Sequence, residues 1–309
     1  MKFEEIFSVT SVRFSNSKGR RRFATIKGVQ DVKQSEESRA LQPASRADHG
    51  PRQSSGLRHW LSRLRAYLIL DPLIVSYTFV LGVVALIVSF FDSTGRRQHA
   101  IARVWSKMIM GTIFSPVTVI GAENLEGPQA AVYAANHISA IDIPLLYAFL
   151  PFQFRIIAKE ELFRTPCIGW YLKRSGQLPV DRSNARASIR SLNKAVESLK
   201  TGMPLVIFPE GGRARDGHIM PFMDGPFYTA IKAGVDIVPM AIVGTFELLP
   251  MDGFHIQPRP LYLIIGKPIS TAGHSLREME ALAQHAQRII EDMYYSRSTV
   301  PDPRIKEQV

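Results

Sequence analysis

One cysteine, Cys167, is all that the 309 residues contain. That excludes an internal disulfide and any multi-cysteine zinc site, and a reducing compartment is the simplest setting. No apolar stretch occupies the first thirty residues, which argues against a secretory signal. No stacking-aromatic platform or recognition-helix pattern accompanies the basic residues, so nucleic acid is not the expected partner. No internal repeat is visible. Acidic charge is in short supply: 27 Asp+Glu face 38 Lys+Arg, leaving +11. Such a balance favours anionic partners, namely an acidic membrane or phosphorylated small molecules. A hydrophobic fraction of 46% with 21% charged residues is that of a folded chain, large enough for one big domain or two modest ones.

Charge is also absent locally, and there the absence is informative. From Pro72 to Phe91 the run PLIVSYTFVLGVVALIVSFF carries no charged residue. A helix of that length reaches about 30 Å, the thickness of a bilayer's hydrocarbon layer. Before it, Leu57, Trp60, Leu61, Leu64 and Leu68 recur at helical spacing among Arg58, Arg63 and Arg65, the pattern of a basic helix at a membrane surface. Asp71-Pro72 is expected to break that helix. Arg96, Arg97, Arg103 and Lys107 follow the apolar run, so both flanks are basic and the positive-inside rule sets no orientation. A monotopic, surface-lying or re-entrant helical pair satisfies both flanks and is favoured over a true span. Residues 1–65 hold fourteen Lys/Arg against six Asp/Glu, so +8 of the +11 precedes the apolar run. Anionic lipid head groups are the partner that this share suits.

The expected organisation follows. Residues 1–56, with Gly19-Arg20-Arg21-Arg22, read as a basic disordered tail, 57–97 as a membrane-associated helical element and 297–309 as a C-terminal tail. Residues 98–296 alternate between strands and helices. A helix with Ile101, Val104, Trp105, Met108 and Ile109 on one face precedes strands over 116–120, 130–135 and 154–158, with a helix over 142–150 between the last two. A helix spans 183–199, and strands cover 204–208, 237–243 and 261–265. A closing helix over 275–295 opens on a Ser275/Glu278 capping box. The fold class is α/β: a mixed, mostly parallel sheet flanked by helices.

Two segments carry chemistry. The stretch AVYAANHISAID sets His137 just past an apolar strand and Asp142 at the next helix start. A carboxylate on one ring nitrogen fixes the tautomer and leaves the other nitrogen to take a proton. The H-x4-D spacing alone arises by chance at roughly 0.3 occurrences in such a chain, so it needs company. Company comes from LVIFPEGGR, a buried strand running into Pro209-Glu210-Gly211-Gly212-Arg213. The two glycines would let backbone N–H groups face a ligand, and Arg213 offers a fork suited to phosphate. Glu210 would orient Arg213 or a substrate hydroxyl.

Together, NHISAID and FPEGGR resemble the glycerolipid acyltransferase family that makes phosphatidate from lysophosphatidate. Lys159-Glu-Glu-Leu162-Phe-Arg-Thr-Pro166-Cys-Ile-Gly169 and Gly176-Gln-Leu-Pro-Val-Asp181-Arg182 match two further family blocks in order, and Ile237-Val238-Pro239 matches the closing strand. The resemblance covers about residues 110–270. It implies that His137 is the general base for the acceptor hydroxyl and that Asp142 orients it. Glu210, Gly211 and Gly212 would lie in the glycerol-phosphate block, with Arg213 and Lys159 on the phosphate. Arg182 either assists them or pairs with Asp181. The donor implied is an acyl thioester, acyl-CoA or acyl carrier protein, and no metal, cofactor or covalent intermediate is required. Location at the membrane is implied, on its cytoplasmic face for a bacterial chain. Two departures bear on the acceptor: Gly212 stands where the family usually has Thr, and Phe222-Met-Asp-Gly225 lacks the usual Lys. Another lysophospholipid or a lyso-ornithine lipid is the alternative acceptor. Ser139 reads as a turn or cap residue and not as a nucleophile, and Cys167 as a packed small side chain.

Overall fold

The computed structural model describes residues 64, 66–126, 130–165, 168–181, 185–251 and 256–308. The basic tail, most of the helix expected over 57–70, Cys167 and Arg182 lie outside the described residues.

The apolar run forms α1 (Asp71–Val88), preceded directly by a π-helical turn, Ala66–Leu70. The break expected at Asp71-Pro72 does not occur. Pro72 sits in the first turn of α1, at its junction with the π-helical turn, a position where proline is tolerated. Leu68–Val88 is the one helix among the described residues long and apolar enough to cross a bilayer, and 11% of its apolar window is buried, which is not the burial of a core helix. A tight turn then reverses the chain into α2 (Arg96–Thr112). Asp92 organises that turn: Oδ1 accepts the Thr94 N–H and hydroxyl at 3.0 and 2.7 Å, and Oδ2 accepts the Arg97 N–H at 2.6 Å, satisfying an orphan donor at the start of α2. The two helices pack as an antiparallel hairpin, with Trp105 Nε1–H donating to Thr78 Oγ1 at 2.8 Å. The face of α2 that is buried carries Gln98, His99, Ala102, Ser106, Ile109 and Met110, whereas Val104 is exposed. The expected apolar stripe is therefore rotated, because α2 is packed by two neighbours: α1 on one flank and α3 (Asp142–Phe149) on another.

Seven strands follow: β1 (Val117–Ile120), β2 (Val132–Ala135), β3 (Arg155–Lys159), β4 (Leu178–Val180), β5 (Leu205–Ile207), β6 (Ile237–Val243) and β7 (Leu261–Ile265). They form one sheet in the order β1-β7-β6-β2-β5-β3-β4. All neighbours are parallel except β6 and β7, so the sheet is mixed and mostly parallel, as the pattern implies. Successive residues of β2 serve opposite faces. Tyr133 and Ala135 join a core beneath α2 and α3; Val132 and Ala134 join one beneath α6 (Ala185–Lys200), α7 (Gly225–Ala233) and α9 (Met279–Tyr295). A sheet covered on both sides explains why its central strands are uninterrupted apolar runs.

Three short helices escaped the sequence pattern: α4 (Glu160–Arg164), α5 (Ile168–Arg174) and α8 (Thr245–Leu248). So did α7, which Gly225-Pro226 opens with proline in its first turn. The capping box is present at Ser275, but it opens a 3₁₀ turn, Leu276–Glu278, before α9 begins. The expected C-terminal tail is not free. Arg304 bonds Asp302 at 2.7 Å and Asp292 at 2.8 Å and approaches Glu291 at 3.4 Å, which fastens the segment to α9.

At the end of β2, Asn136 is fully buried and bridges to β6: its Nδ2 donates to Ile242 O at 2.9 Å, and its Oδ1 accepts the Ile242 N–H at 2.7 Å. Replacing Asn136 with Ala strands both backbone groups of Ile242 away from water. A loss of about 2–4 kcal/mol is expected, seen as a lower denaturant midpoint with an unchanged slope.

Candidate active site

His137 is the second residue beyond β2, and Asp142 is the first of α3. The turn between them folds the carboxylate back under the ring. Asp142 Oδ2 accepts the His137 Nδ1–H, the Ile138 N–H and the Ser139 N–H, each at 2.8 Å. Asp142 is 0% exposed and His137 14%. The carboxylate holds the proton on Nδ1, so Nε2 carries the lone pair. Among the described residues Nε2 has no protein partner. The Phe208 ring lies flat against the imidazole, centroids 4.0 Å apart and planes 18° off parallel, which restricts its rotation. Ser139 faces away: its hydroxyl donates to Leu249 O at 2.7 Å and accepts the Ile141 N–H at 3.3 Å. It is a turn residue, as its position implies.

The second segment stands beside the first because β5 is the parallel neighbour of β2. Beyond β5 the chain turns at Gly211, whose φ of +74° suits glycine and whose N–H donates to Phe208 O at 3.0 Å. That N–H is therefore engaged within the turn and does not face a ligand. The next two N–H groups, of Gly212 and Arg213, have no acceptor among the described residues. Ala214 N–H donates to His137 O at 3.1 Å and ties the loop to the histidine's own backbone.

Glu210 departs most from expectation. It does not orient Arg213. Its carboxyl turns inward, 7% exposed, where Oε1 accepts the His137 N–H at 2.7 Å and Oε2 accepts the Met220 N–H at 2.9 Å. It is a strut between the two loops. Arg213 is half-buried and Lys159, last residue of β3, is exposed; neither has an ion-pair partner among the described residues. Because β2, β5 and β3 are parallel, Lys159 stands at the same sheet edge as His137 and Arg213. Asp181 is held through its backbone by Ser188 and Ser191. No cluster of three or more His, Cys, Asp or Glu able to hold a metal occurs among the described residues. The sequence pattern did not single out Asn136, Phe208 or Leu249; the first two were readable only as flanking residues of the two motifs.

Burial raises the Glu210 carboxyl from 4.5 to about 8; the Met220 and His137 N–H groups oppose this, and the neighbouring Asp142 charge adds to it. The folded chain therefore holds a proton that the unfolded chain releases between those values, and stability falls as pH rises through that window. Unfolding in detergent solution between pH 5 and 9 should show this decline. Glu210→Gln should lack that part of the pH dependence. It should also be less stable at the acid end by about 1–3 kcal/mol, because one amide oxygen cannot accept from two N–H groups.

The family model for Acyltransferase matches residues 116–243. A chloroplastic 1-acyl-sn-glycerol-3-phosphate acyltransferase, LPAT1 of Arabidopsis thaliana, is 33% identical over 214 residues, 67% of this chain and 60% of its own length. One from Chlamydomonas reinhardtii is 36% identical over 197 residues, 63% of this chain and 57% of its own. The chain thus spans a little under two thirds of those relatives. The crystal structure of the lysophosphatidate acyltransferase PlsC from Thermotoga maritima superposes with a TM-score of 0.61 at 30% identity, covering 77% of this chain and 95% of that one. A fold shared over nearly all of that protein, at 30% identity, has one reading: the chain belongs to the glycerolipid acyltransferase family.

Proposed function

We propose that this protein transfers a fatty acyl group from an acyl thioester to the free sn-2 hydroxyl of 1-acyl-glycerol 3-phosphate, giving phosphatidate. The observation that carries the reading is the His137–Asp142 pair, closed at Nδ1 and open at Nε2. In the proposed step, Nε2 removes the hydroxyl proton as the oxygen attacks the thioester carbonyl, and Asp142 stabilises the imidazolium. Collapse of the tetrahedral adduct breaks the C–S bond, and the imidazolium returns its proton to the departing thiolate. Direct transfer within one complex of donor and acceptor needs no covalent enzyme intermediate.

Arg213 and Lys159 are the cations that would meet the acceptor phosphate, with the N–H groups of Gly212 and Arg213, which have no acceptor among the described residues, as further donors. Arg182 would join them. Acyl-CoA and acyl carrier protein present the same phosphopantetheine thioester and serve equally as donors. Gly212 in place of Thr, and Met223 where a Lys is usual, favour a second reading in which the acceptor is another lysophospholipid or a lyso-ornithine lipid. Membrane association belongs to the same proposal. The outer face of α1 exposes Val75, Phe79, Val80 and Ile87, and Phe90 and Phe91 stand out from the turn that follows. A helix folded back on α2 suits insertion into one leaflet, with the basic flanks at the head groups. For a bacterial chain the leaflet would be the cytoplasmic one.

Turnover by the detergent-solubilised protein, measured over a matrix of thioester donors and lysolipid acceptors, tests the reading. His137→Ala should lower kcat by about 10²- to 10⁴-fold while the variant still floats with vesicles. Unimpaired turnover by that variant would sink the mechanism. A preference for a lyso-ornithine lipid over lysophosphatidate would move the acceptor to the second reading.

A further inference from the structure

Arg155 opens β3 and is rooted in the sheet by its own N–H, which donates to Pro204 O at 2.9 Å. Its side chain leaves the sheet and joins two distant segments. Nη2 donates to Thr94 O at 2.8 Å, in the turn between α1 and α2, and Nη1 donates to Ser175 O, just after α5. Each of these carbonyls precedes a glycine in the left-handed region, Gly95 at φ +71° and Gly176 at +74°. A Cβ on Gly95 would stand 2.8 Å from Nη1, and one on Gly176 would stand 2.7 Å from Cζ. The guanidinium therefore fills a slot walled by two glycines, and any side chain at either position would enter its space. Gln153 Nε2 donates to the same Thr94 carbonyl at 3.2 Å. No carboxylate forms an ion pair with Arg155 among the described residues; its nearest acid by field, Asp92, is already committed to the N–H groups of the turn.

The place of this clasp matters as much as its strength. It grips the turn of the hairpin at the N-terminal end of β3. His137 and Arg213 stand beyond the C-terminal ends of the parallel strands β2 and β5, at the opposite edge of the sheet. At its other end the hairpin is continuous with the sheet through α2 and β1. α1 itself packs on α2 and on α5, while α2 packs on α3. Released at the turn, the hairpin would lose the contact that ties its turn to β3 and to the segment after α5, leaving its tilt to helix packing alone.

We propose that Arg155 is a positioning residue: it fixes the angle between the α1–α2 hairpin and the sheet, and so sets how an acceptor lying in a bilayer meets His137. The proposal rests on the membrane-associated acyltransferase reading above. The slot explains why a planar, forked cation stands here, since a lysine ammonium cannot reach both carbonyls in one plane.

The full-length chain with Arg155→Met is compared with wild type on two acceptors. One is long-chain lysophosphatidate in phosphatidylglycerol/phosphatidylcholine vesicles; the other is a short-chain lysophosphatidate kept below its micelle concentration. Turnover on vesicles should fall by about tenfold or more, while turnover of the monodisperse acceptor stays within about twofold, since displacement of a substrate by an ångström is enough for such losses. Gly95→Ala, which attacks the slot from the hairpin side and leaves Arg155 in place, should give the same selective loss; it keeps the test open if Arg155→Met fails to fold. Arg155→Lys should fall between. Equal losses on both acceptors, or undiminished turnover on vesicles, would overturn the proposal. Flotation separates the two layers: a wild-type chain that fails to float removes the membrane reading and this proposal with it. Floating variants with equal losses overturn this proposal alone.

Discussion

A single buried oxygen organises the site. Asp142 Oδ2 takes three donors, the His137 ring and the N–H groups of Ile138 and Ser139, within hydrogen-bond distance of one point. A carboxylate with no solvent exposure is costly unless its charge is answered, and here three donors answer it. The start of α3 adds the positive end of a helix dipole at the same place. The other oxygen, Oδ1, is buried without a partner among the described residues, so the carboxylate's grip is concentrated in one atom. This arrangement sets the tautomer of His137, the sharpness of the turn after β2 and the starting point of α3 together. Disturbing any one of them disturbs the others.

Glu210 extends the same logic across the gap between strands. Burial pushes the Glu210 carboxyl up to about 8, and the neighbouring Asp142 adds to the rise. The carboxyl still accepts from the His137 N–H, and the His137 carbonyl accepts from Ala214. The histidine is therefore fixed at three points: ring, amide nitrogen and carbonyl oxygen. Two of those supports come from the loop that also presents Arg213. His137 and the loop that carries Arg213 are thus parts of one rigid unit, which the proposed positioned catalysis would require.

The sequence made some of this legible. His137 and Asp142 could be paired because a strand, a tight turn and a helix start leave little freedom over five residues. The α/β sheet and the long apolar helix were readable for similar reasons, since their signals are local and periodic. Glu210 was misread because its neighbour in sequence is a cationic loop, whereas its partners are His137 and Met220 across the fold. The buried face of α2 was misplaced because periodicity reports one apolar stripe, and two neighbours ask for two. Arg304 fastens the C-terminus through acids spread from Glu291 to Asp302, which no local pattern marks. Arg155 gave no signal at all within Arg-Ile-Ile-Ala-Lys; its meaning lies in two glycines elsewhere in the chain.

The charge excess takes on a different meaning in this structure. With +8 of +11 before residue 66, the remainder of the chain is only slightly basic. Several of its cations are already answered: Arg304 by three acids, Arg164 by Glu160 and Lys200 by Glu197. A cation neutralised by a carboxylate has little attraction left for phosphate. Lys159 and Arg213 have no such partner among the described residues, and parallel strands bring both to the edge where His137 opens. A local field of the right sign therefore needs no large net charge, only cations left unpaired at the proper sheet edge. At an anionic leaflet, screening would limit each basic residue of the N-terminal excess to about 1 kcal/mol of attraction. Under the proposed function the two groups of charge would divide the work: the diffuse one would draw the chain to a lipid surface, and Lys159 with Arg213 would meet an anion within it.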